Sequence, residues 1–276
     1  MLKKIFSYYK NHGPFKFFTK SFNFLLHKVF SLKVISTSKI NTKIARKIFG
    51  KSKLVKSDNG YWYTDPMPSL NDLNEYYGSL YWDSRNGKDS GANTRDLLHY
   101  QMLKELVPLS LQKDNCLLNF GAAHGGLSHI SWLNGMNVIN VEPSDIPAYY
   151  EERWKTYSSI DSVPSNSADI IYGSHSVEHV QNIDDFMNDV KRILKPDGII
   201  FFEVPNGKCQ TAGPATGEIV IPHTYYFTTS FFDKWFDKII LNKCFDQSQR
   251  LGKIQTWSDF ENEEGSVIRA IGKINN

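Results

Sequence analysis

Cys116-Leu117-Leu118-Asn119-Phe120-Gly121-Ala122-Ala123-His124-Gly125-Gly126 is the stretch on which the fold turns. A short apolar run breaks into a glycine-rich turn, a helix-compatible segment follows, and a second apolar run, Val138 to Val141, stops at Glu142. The pattern predicts strand, glycine turn, helix, strand, acid. Gly121 and Gly125 let the backbone turn tightly and approach a ligand closely, and Glu142, about 20 residues on, is placed to accept hydrogen bonds from ribose hydroxyls. Two readings fit this stretch alone: a nucleoside-cofactor site, and an ordinary βαβ turn that binds nothing.

Working outward, the pattern after Cys116 alternates strand and helix, which predicts a mostly parallel sheet with helices on both faces. Asp169 to Tyr172 reads as the next strand. Ile183 to Leu194 reads as a helix with Ile183, Phe186, Met187, Val190, Ile193 and Leu194 along one side, and Ile199 to Val204 as a nearly all-apolar central strand. Helix is also expected near Tyr149 to Tyr157 and over Phe231 to Leu241, a minor strand end over Ser159 to Val163, and a final strand over Val267 to Ile274. Upstream, Asn93 to Val107 reads as a helix with Leu97, Leu98, Met102, Leu103 and Leu106 on its buried stripe.

The chain of 276 residues is long enough for one domain and an extension, and 41% hydrophobic residues exclude a disordered chain. Its net charge of +3 is unevenly spread. Residues 1 to 56 hold 14 Lys and Arg and no acid, which leaves 18 basic against 29 acidic residues, or −11, for the rest. The expected division is a basic amphipathic arm over 1–57, an aromatic-rich lead-in or lid over 58–92, and the sheet-forming domain over 93–276. In the arm, aromatics alternate with lysines, and Phe18, Phe22, Leu25, Leu26 and Val29 share a helical face. It suits an anionic membrane surface through residues 1–30, a partner, or the protein's own core. The acidic remainder disfavours nucleic acid. Three scattered cysteines fit a reducing compartment, and charged residues interrupt every apolar run in the manner of neither a signal peptide nor a membrane span, so a cytoplasmic location is expected, with peripheral contact at the inner face of the membrane as an extension.

Four segments in order, Asn119 to Gly125, Asn140-Val141-Glu142, Ala168 to Val180 with its Ser174-His175-Ser176-Val177-Glu178-His179, and Leu194-Lys195-Pro196-Asp197-Gly198 running on to Asn206, resemble successive motifs of the class I S-adenosylmethionine-dependent methyltransferases. The resemblance covers residues 93 to 274 and is nearest in flavour to ubiquinone-biosynthesis O-methyltransferases and bacterial sugar or surface-glycan methyltransferases. It implies a Rossmann-like seven-stranded sheet with a terminal antiparallel hairpin and S-adenosylmethionine across the strands' carboxyl ends. It further implies cofactor contacts from Asn119, Gly121, Ala123, Gly125, Glu142, Asp161 and Ser174. The family usually has an acid where this chain has Asn119 and glycine where it has Ala123.

Methyl transfer to a hydroxyl needs an aligned acceptor and a group to take its proton. His175, Glu178 and His179, just past a strand end, and His223, in a loop resembling the family's substrate side, are the candidates. Some members of the family hold a divalent metal with a Glu-x-x-Glu-His pattern, and here His175 stands in place of the first acid, so a metal is the lesser option and none is assigned. The expected activity is methyl transfer to a small polar acceptor, a hydroxyl of a sugar, nucleotide-sugar or surface-glycan precursor in polysaccharide biosynthesis. The alternatives are a lipid or quinone O-methyltransferase at a membrane surface and a catalytically silent binding or scaffold protein. Oligomeric state is left open by the sequence.

Overall fold

Cys116–Phe120 forms a strand buried at four of its five positions, as its apolar run requires, in a computed structural model that describes residues 47–77, 92–144, 153–209, 213–215, 217, 219–220, 222–246 and 256–274. The arm up to residue 46 and the loop from Asp83 to Gly91, with Tyr81 and Trp82 before it, lie outside the described residues. In chain order the strands are β1 (Lys53–Lys56), β2 (Tyr61–Asp65), β3 (Cys116–Phe120), β4 (Asn137–Val141), β5 (Lys155–Tyr157), β6 (Ala168–Ser174), β7 (Leu194–Pro205), β8 (Tyr225–Phe227), β9 (Lys238–Phe245) and β10 (Val267–Lys273). The helices are α1 (Leu70–Glu75), α2 (Ala92–Leu106), α3 (Gly126–Leu133), α4 (Ile183–Ile193) and α5 (Thr229–Trp235).

Seven strands make one sheet in the order β5-β4-β3-β6-β7-β10-β9. All its neighbours pair in parallel except β10, which runs against both β7 and β9. Adjacent residues alternate between the two faces: Leu118, Ile171, Ile200 and Phe202 pack in one core, and Leu117, Ile170, Ile199 and Phe201 in the other. Helix α4 supplies the first core with Ile183, Phe186, Met187, Val190 and Ile193, and α2 supplies the second with Met102 and Leu103. Asn182 opens α4 by accepting from the amides of Asp184 and Asp185.

This Rossmann-like arrangement is the one expected, and the departures are local. Lys155–Tyr157 is an edge strand where a helix is expected, because its backbone pairs with β4 although its side chains show no apolar pattern. Ile160–Ser162 is a 3-10 turn in place of a strand end. The helix expected over Phe231 to Leu241 stops at Trp235, and Lys238–Phe245 pairs with β10 instead. An Ile-Ile-Leu run reads equally as buried helix or strand, and here the free edge of β10 decides. Leu97 is 59% exposed, so the stripe of α2 excludes it.

A second sheet, in the order β1-β2-β8, ties the lead-in to the larger domain. Strands β1 and β2 form a hairpin around Ser57 to Gly60, and Trp62 of β2 pairs with Tyr226 of β8. Tyr61 meets Tyr225, Phe227 and Phe231 edge-on at 5.4–6.3 Å between ring centroids.

Register sets where the strands end. Phe120 lies beside Val141 in one direction and Gly173 in the other, so Gly121, Glu142 and Ser174 emerge at one edge of the sheet. There Gly121 takes φ 68° and donates to Val141 O at 2.8 Å, while Ala123 takes φ 48°, a left-handed conformation that costs a side chain about 1 kcal/mol. A Cβ on Gly121 would stand 2.4 Å from the Ser176 Cβ. Gly121→Ala is therefore expected to lower unfolding free energy by about 2–4 kcal/mol, and Ala123→Gly to be neutral or to raise it by up to about 1 kcal/mol. Urea denaturation of both variants checks this opposed pair, and a tolerated Gly121→Ala contradicts the packing described.

Candidate active site

The chain leaves β3 for α3 on one side and returns to β6 on the other, so the crevice at the carboxyl ends of β3 and β6 is the switch point where parallel sheets bind ligands. Two groups of residues meet that edge.

The first is the glycine turn and its brace. Glu142 accepts from Ala123 N at 2.8 Å through one oxygen, and from Ser144 N and Oγ at 3.1 and 2.6 Å through the other. It thus fixes the turn while its half-buried carboxylate keeps further lone pairs for a ligand. From Gly121 to Ala123 the turn carries no side chain larger than a methyl group. Beneath it Asn119 donates to Ser128 Oγ at 2.9 Å, and Ser128 donates to Asn140 Oδ1 at 2.7 Å. The fully buried Asn140 Nδ2 has no hydrogen-bond partner among the described residues and lies 3.7 Å from where a Cβ on Gly125 would stand. An open turn, an acid at its rim and an unmet donor below it fit a nucleoside cofactor with a polar tail. Asn119 itself is 3% exposed and spends its amide inside the protein. Asp161, on the 3-10 turn Ile160–Ser162, is exposed.

The second group is a buried chain of alternating carboxylates and imidazoles. Glu203, in the middle of the apolar strand β7, accepts from His99 Nε2 at 2.9 Å, Arg269 Nε at 2.8 Å and Ser174 Oγ at 3.0 Å. His99, on α2, places its other ring nitrogen 2.8 Å from the Tyr172 hydroxyl. His175, whose φ is 52°, places Nε2 3.3 Å from Glu203 and Nδ1 3.4 Å from Glu178. Glu178 is 1% exposed; His175 Nδ1 and His179 Nε2 stand 3.4 and 3.7 Å from its Oε1. The His179 and His223 rings stand 5.0 Å apart, centroid to centroid. Thr224, next to His223, donates through N and Oγ1 to Glu178 O at 2.9 Å, which locks the two segments together.

The structure therefore gathers His175, Glu178, His179 and His223, and separately Gly121, Ala123, Gly125 and Glu142; Ser174 belongs with Glu203. Glu203, His99 and Arg269 escape a reading of motifs. One signal was present: a lone acid in the apolar run Ile199 to Val204 must find buried partners.

Burial alone would depress the His175 imidazole, but its pairing with Glu178 and Glu203 prevails and holds it up at about 9. Burial would raise Glu178, and the charges of His179, His175 and His223 prevail, pulling it down to about 2. Burial lowers His99 despite its bond to Glu203, while Glu203 overcomes burial through His99 and His175 and stays well below the ordinary carboxylate range. At neutral pH His175 is an imidazolium between two carboxylates, and His179 and His223 are the further imidazoles on the Glu178 side. One atom each from Glu178, His179 and His223 also lie within 4.8 Å of one another, a donor set that fits a divalent cation such as Mn, Fe or Zn.

The family described as a methyltransferase domain matches residues 94–265. Among solved structures, the chain is similar to an S-adenosylmethionine dependent methyltransferase from Mesorhizobium loti, with 13% identity over 63% of this chain and 96% of that one and a TM-score of 0.46. It is also similar to phosphoethanolamine N-methyltransferase 2 of Haemonchus contortus, with 20% identity over 41% of this chain and 28% of that one and a TM-score of 0.36. The chain spans less than half the length of the first solved structures that it matches. No curated protein matches it.

The charge pattern has a measurable consequence. His175 is held above its unfolded value, so its stabilisation is complete below about pH 6.5 and is lost as pH rises through about 9. Glu178 is held below its unfolded value, so its stabilisation is present above about pH 4.5 and is lost as pH falls toward about 2. Unfolding free energy is expected to decline between pH 6.5 and 9, and His175→Gln to flatten that limb. Urea titrations across pH measure both, and an unchanged alkaline limb in the variant contradicts the assignment.

Proposed function

Because the chain belongs to the methyltransferase-domain family, we propose that it transfers a methyl group from S-adenosylmethionine to a small polar acceptor, a hydroxyl of a sugar, nucleotide-sugar or surface-glycan precursor. The observation that carries the reading is Glu178. A carboxylate this buried is stable when ionised only beside groups that carry positive charge, and the imidazoles of His175, His179 and His223 gather around it.

Bound S-adenosylmethionine supplies an electrophilic methyl group on a sulfonium centre. Gly121, Ala123 and Gly125 would leave room for it at the ends of β3 and β6, and Glu142 would accept from its ribose hydroxyls. On the acceptor side, His179 or His223 takes the hydroxyl proton as general base. Glu178 stabilises the imidazolium so formed, which keeps the proton from returning before transfer is complete. His175, already charged, serves as a hydrogen-bond donor and anchors Glu178. Its positive charge beside Glu178 also opposes a second cation there, so the three-residue set is read as handling protons rather than a metal.

The chain divides, on this reading, into an arm over 1–57, a lead-in over 58–92 and the transfer domain from 93 onward. No helix among the described residues is long and apolar enough to cross a membrane.

Calorimetric titration of S-adenosylmethionine is expected to give micromolar binding in the wild type and loss of at least about tenfold in Glu142→Ala. Labelled methyl groups are expected to enter sugar acceptors rather than quinols, with Glu178→Gln lowering turnover by about 10²-fold at unchanged cofactor affinity. Dialysis against a chelator leaves that rate intact; its loss, restored by manganese or zinc, would move the cluster to a metal role. No cofactor binding by folded protein sinks the reading.

A further inference from the structure

The small sheet and the start of α4 enclose a cleft of about 530 Å³, within the roughly 300–1,000 Å³ usual for small-molecule sites. Its walls come from β2, the turn after β1, and the segment Gln181-Asn182. The same two stretches that carry the acceptor-side histidines run directly into it: Gln181 follows His179 by two positions, and Tyr225 follows His223 by two. Tyr225 joins them physically, its hydroxyl accepting from Ile183 N at 3.2 Å and donating to Gln181 O at 3.4 Å. Thr64 N of β2 donates to Thr224 O at 3.0 Å, which fixes the far wall against the histidine loop.

We propose that this cleft is a saccharide subsite, holding sugar units of the acceptor that flank the one methylated. The proposal rests on the acceptor class above and extends it from a single sugar to a short oligosaccharide. Lining chemistry carries it. Half-buried Tyr63 offers ring surface for the C–H face of a pyranose. Around it the exposed side chains of Asp65 and Gln181 make no hydrogen bond within the described residues, giving an acceptor-only group and a group that both donates and accepts. That combination suits a ligand built of hydroxyls. A phosphate or nucleotide fits poorly, since among the described residues Lys56 is the one cation in the lining and stands with Asp58 and Asp65. An acyl chain fits poorly because the rim is polar.

Both rim side chains are exposed and outside the two site groups, so the double variant Asp65→Ala/Gln181→Ala is expected to fold. Saturation-transfer NMR with maltotriose, cellotriose, mannotriose and chitotriose is expected to show contact with at least one trisaccharide in the wild type and none in the double variant. S-adenosylmethionine affinity is expected to stay the same. For any trisaccharide that is methylated, KM should rise about tenfold with kcat unchanged, the effect of losing two neutral hydrogen bonds. Contact abolished by the double substitution, with no saccharide methylated, upholds the cleft and refutes the acceptor class. Saccharide methylation with an unchanged KM, contact that survives the substitutions, or no contact with any of the four overturns the cleft.

Discussion

Glu203 is the buried charge on which the interior depends. It sits at 1% exposure in a strand covered on both faces, and ionising there is tolerable only with several partners at once. It obtains them from three directions: His99 on α2, Arg269 on β10, and Ser174 with His175 at the end of β6. One carboxylate thereby fixes the angle of a helix, the register of the antiparallel strand and the exit of the chain into the site loop. Such a hub adds little net stability compared with a hydrocarbon core, but removing one member leaves the others charged in apolar surroundings, at a cost of about 3–5 kcal/mol. The backbone repeats the link, because His175 N donates to Glu203 O at 2.9 Å.

From that hub the polarity of the site follows in sequence. Glu203 stabilises His175 as a cation, His175 pairs with Glu178, and Glu178 faces His179 and His223. Each member sets the charge of the next, so the final pair of imidazoles meets a fixed negative partner. The left-handed backbone of His175 belongs to the same arrangement: φ 52° is an unfavourable conformation for a histidine, and the two carboxylates that bracket the ring compensate for it.

Local pattern made the centre of the fold legible, and long-range pairing hid the rest. The strand at Cys116, the glycine turn, Glu142 and the helix from Ile183 could be read because their apolar periodicity and turn residues are contiguous. Lys155–Tyr157 could not, since an edge strand of Lys, Thr and Tyr is made by β4's unpaired backbone and by nothing in its own side chains. Lys238–Phe245 failed for the opposite reason, its apolar run suiting either state. The same division holds within the site. His175, Glu178 and His179 are neighbours in sequence and were found together, whereas His99 and Glu203 are 104 residues apart and Arg269 and Glu203 are 66 apart. The pairing of the lead-in with β8 was equally out of reach, because Tyr61-Trp62-Tyr63 names a strand and not its partner.

Asn119 and Ala123, the two departures from the family pattern, have separate physical accounts. Ala123 keeps the left-handed turn at a small steric cost, and Glu142 accepts its amide and so helps hold the strained residue in place. Asn119 is almost wholly buried and faces Ser128, whose hydroxyl is already committed to Asn140. A carboxylate there could only accept; it would have to draw the Ser128 proton away from Asn140 and would bring a formal charge into a region whose hydrogen bonds are otherwise neutral. The amide donates instead and leaves Ser128 free to complete the chain. The acid's absence is therefore a consequence of how β3, α3 and β4 are joined beneath the turn, while the groups above it, Glu142 and the glycines, keep the geometry that a nucleoside cofactor requires.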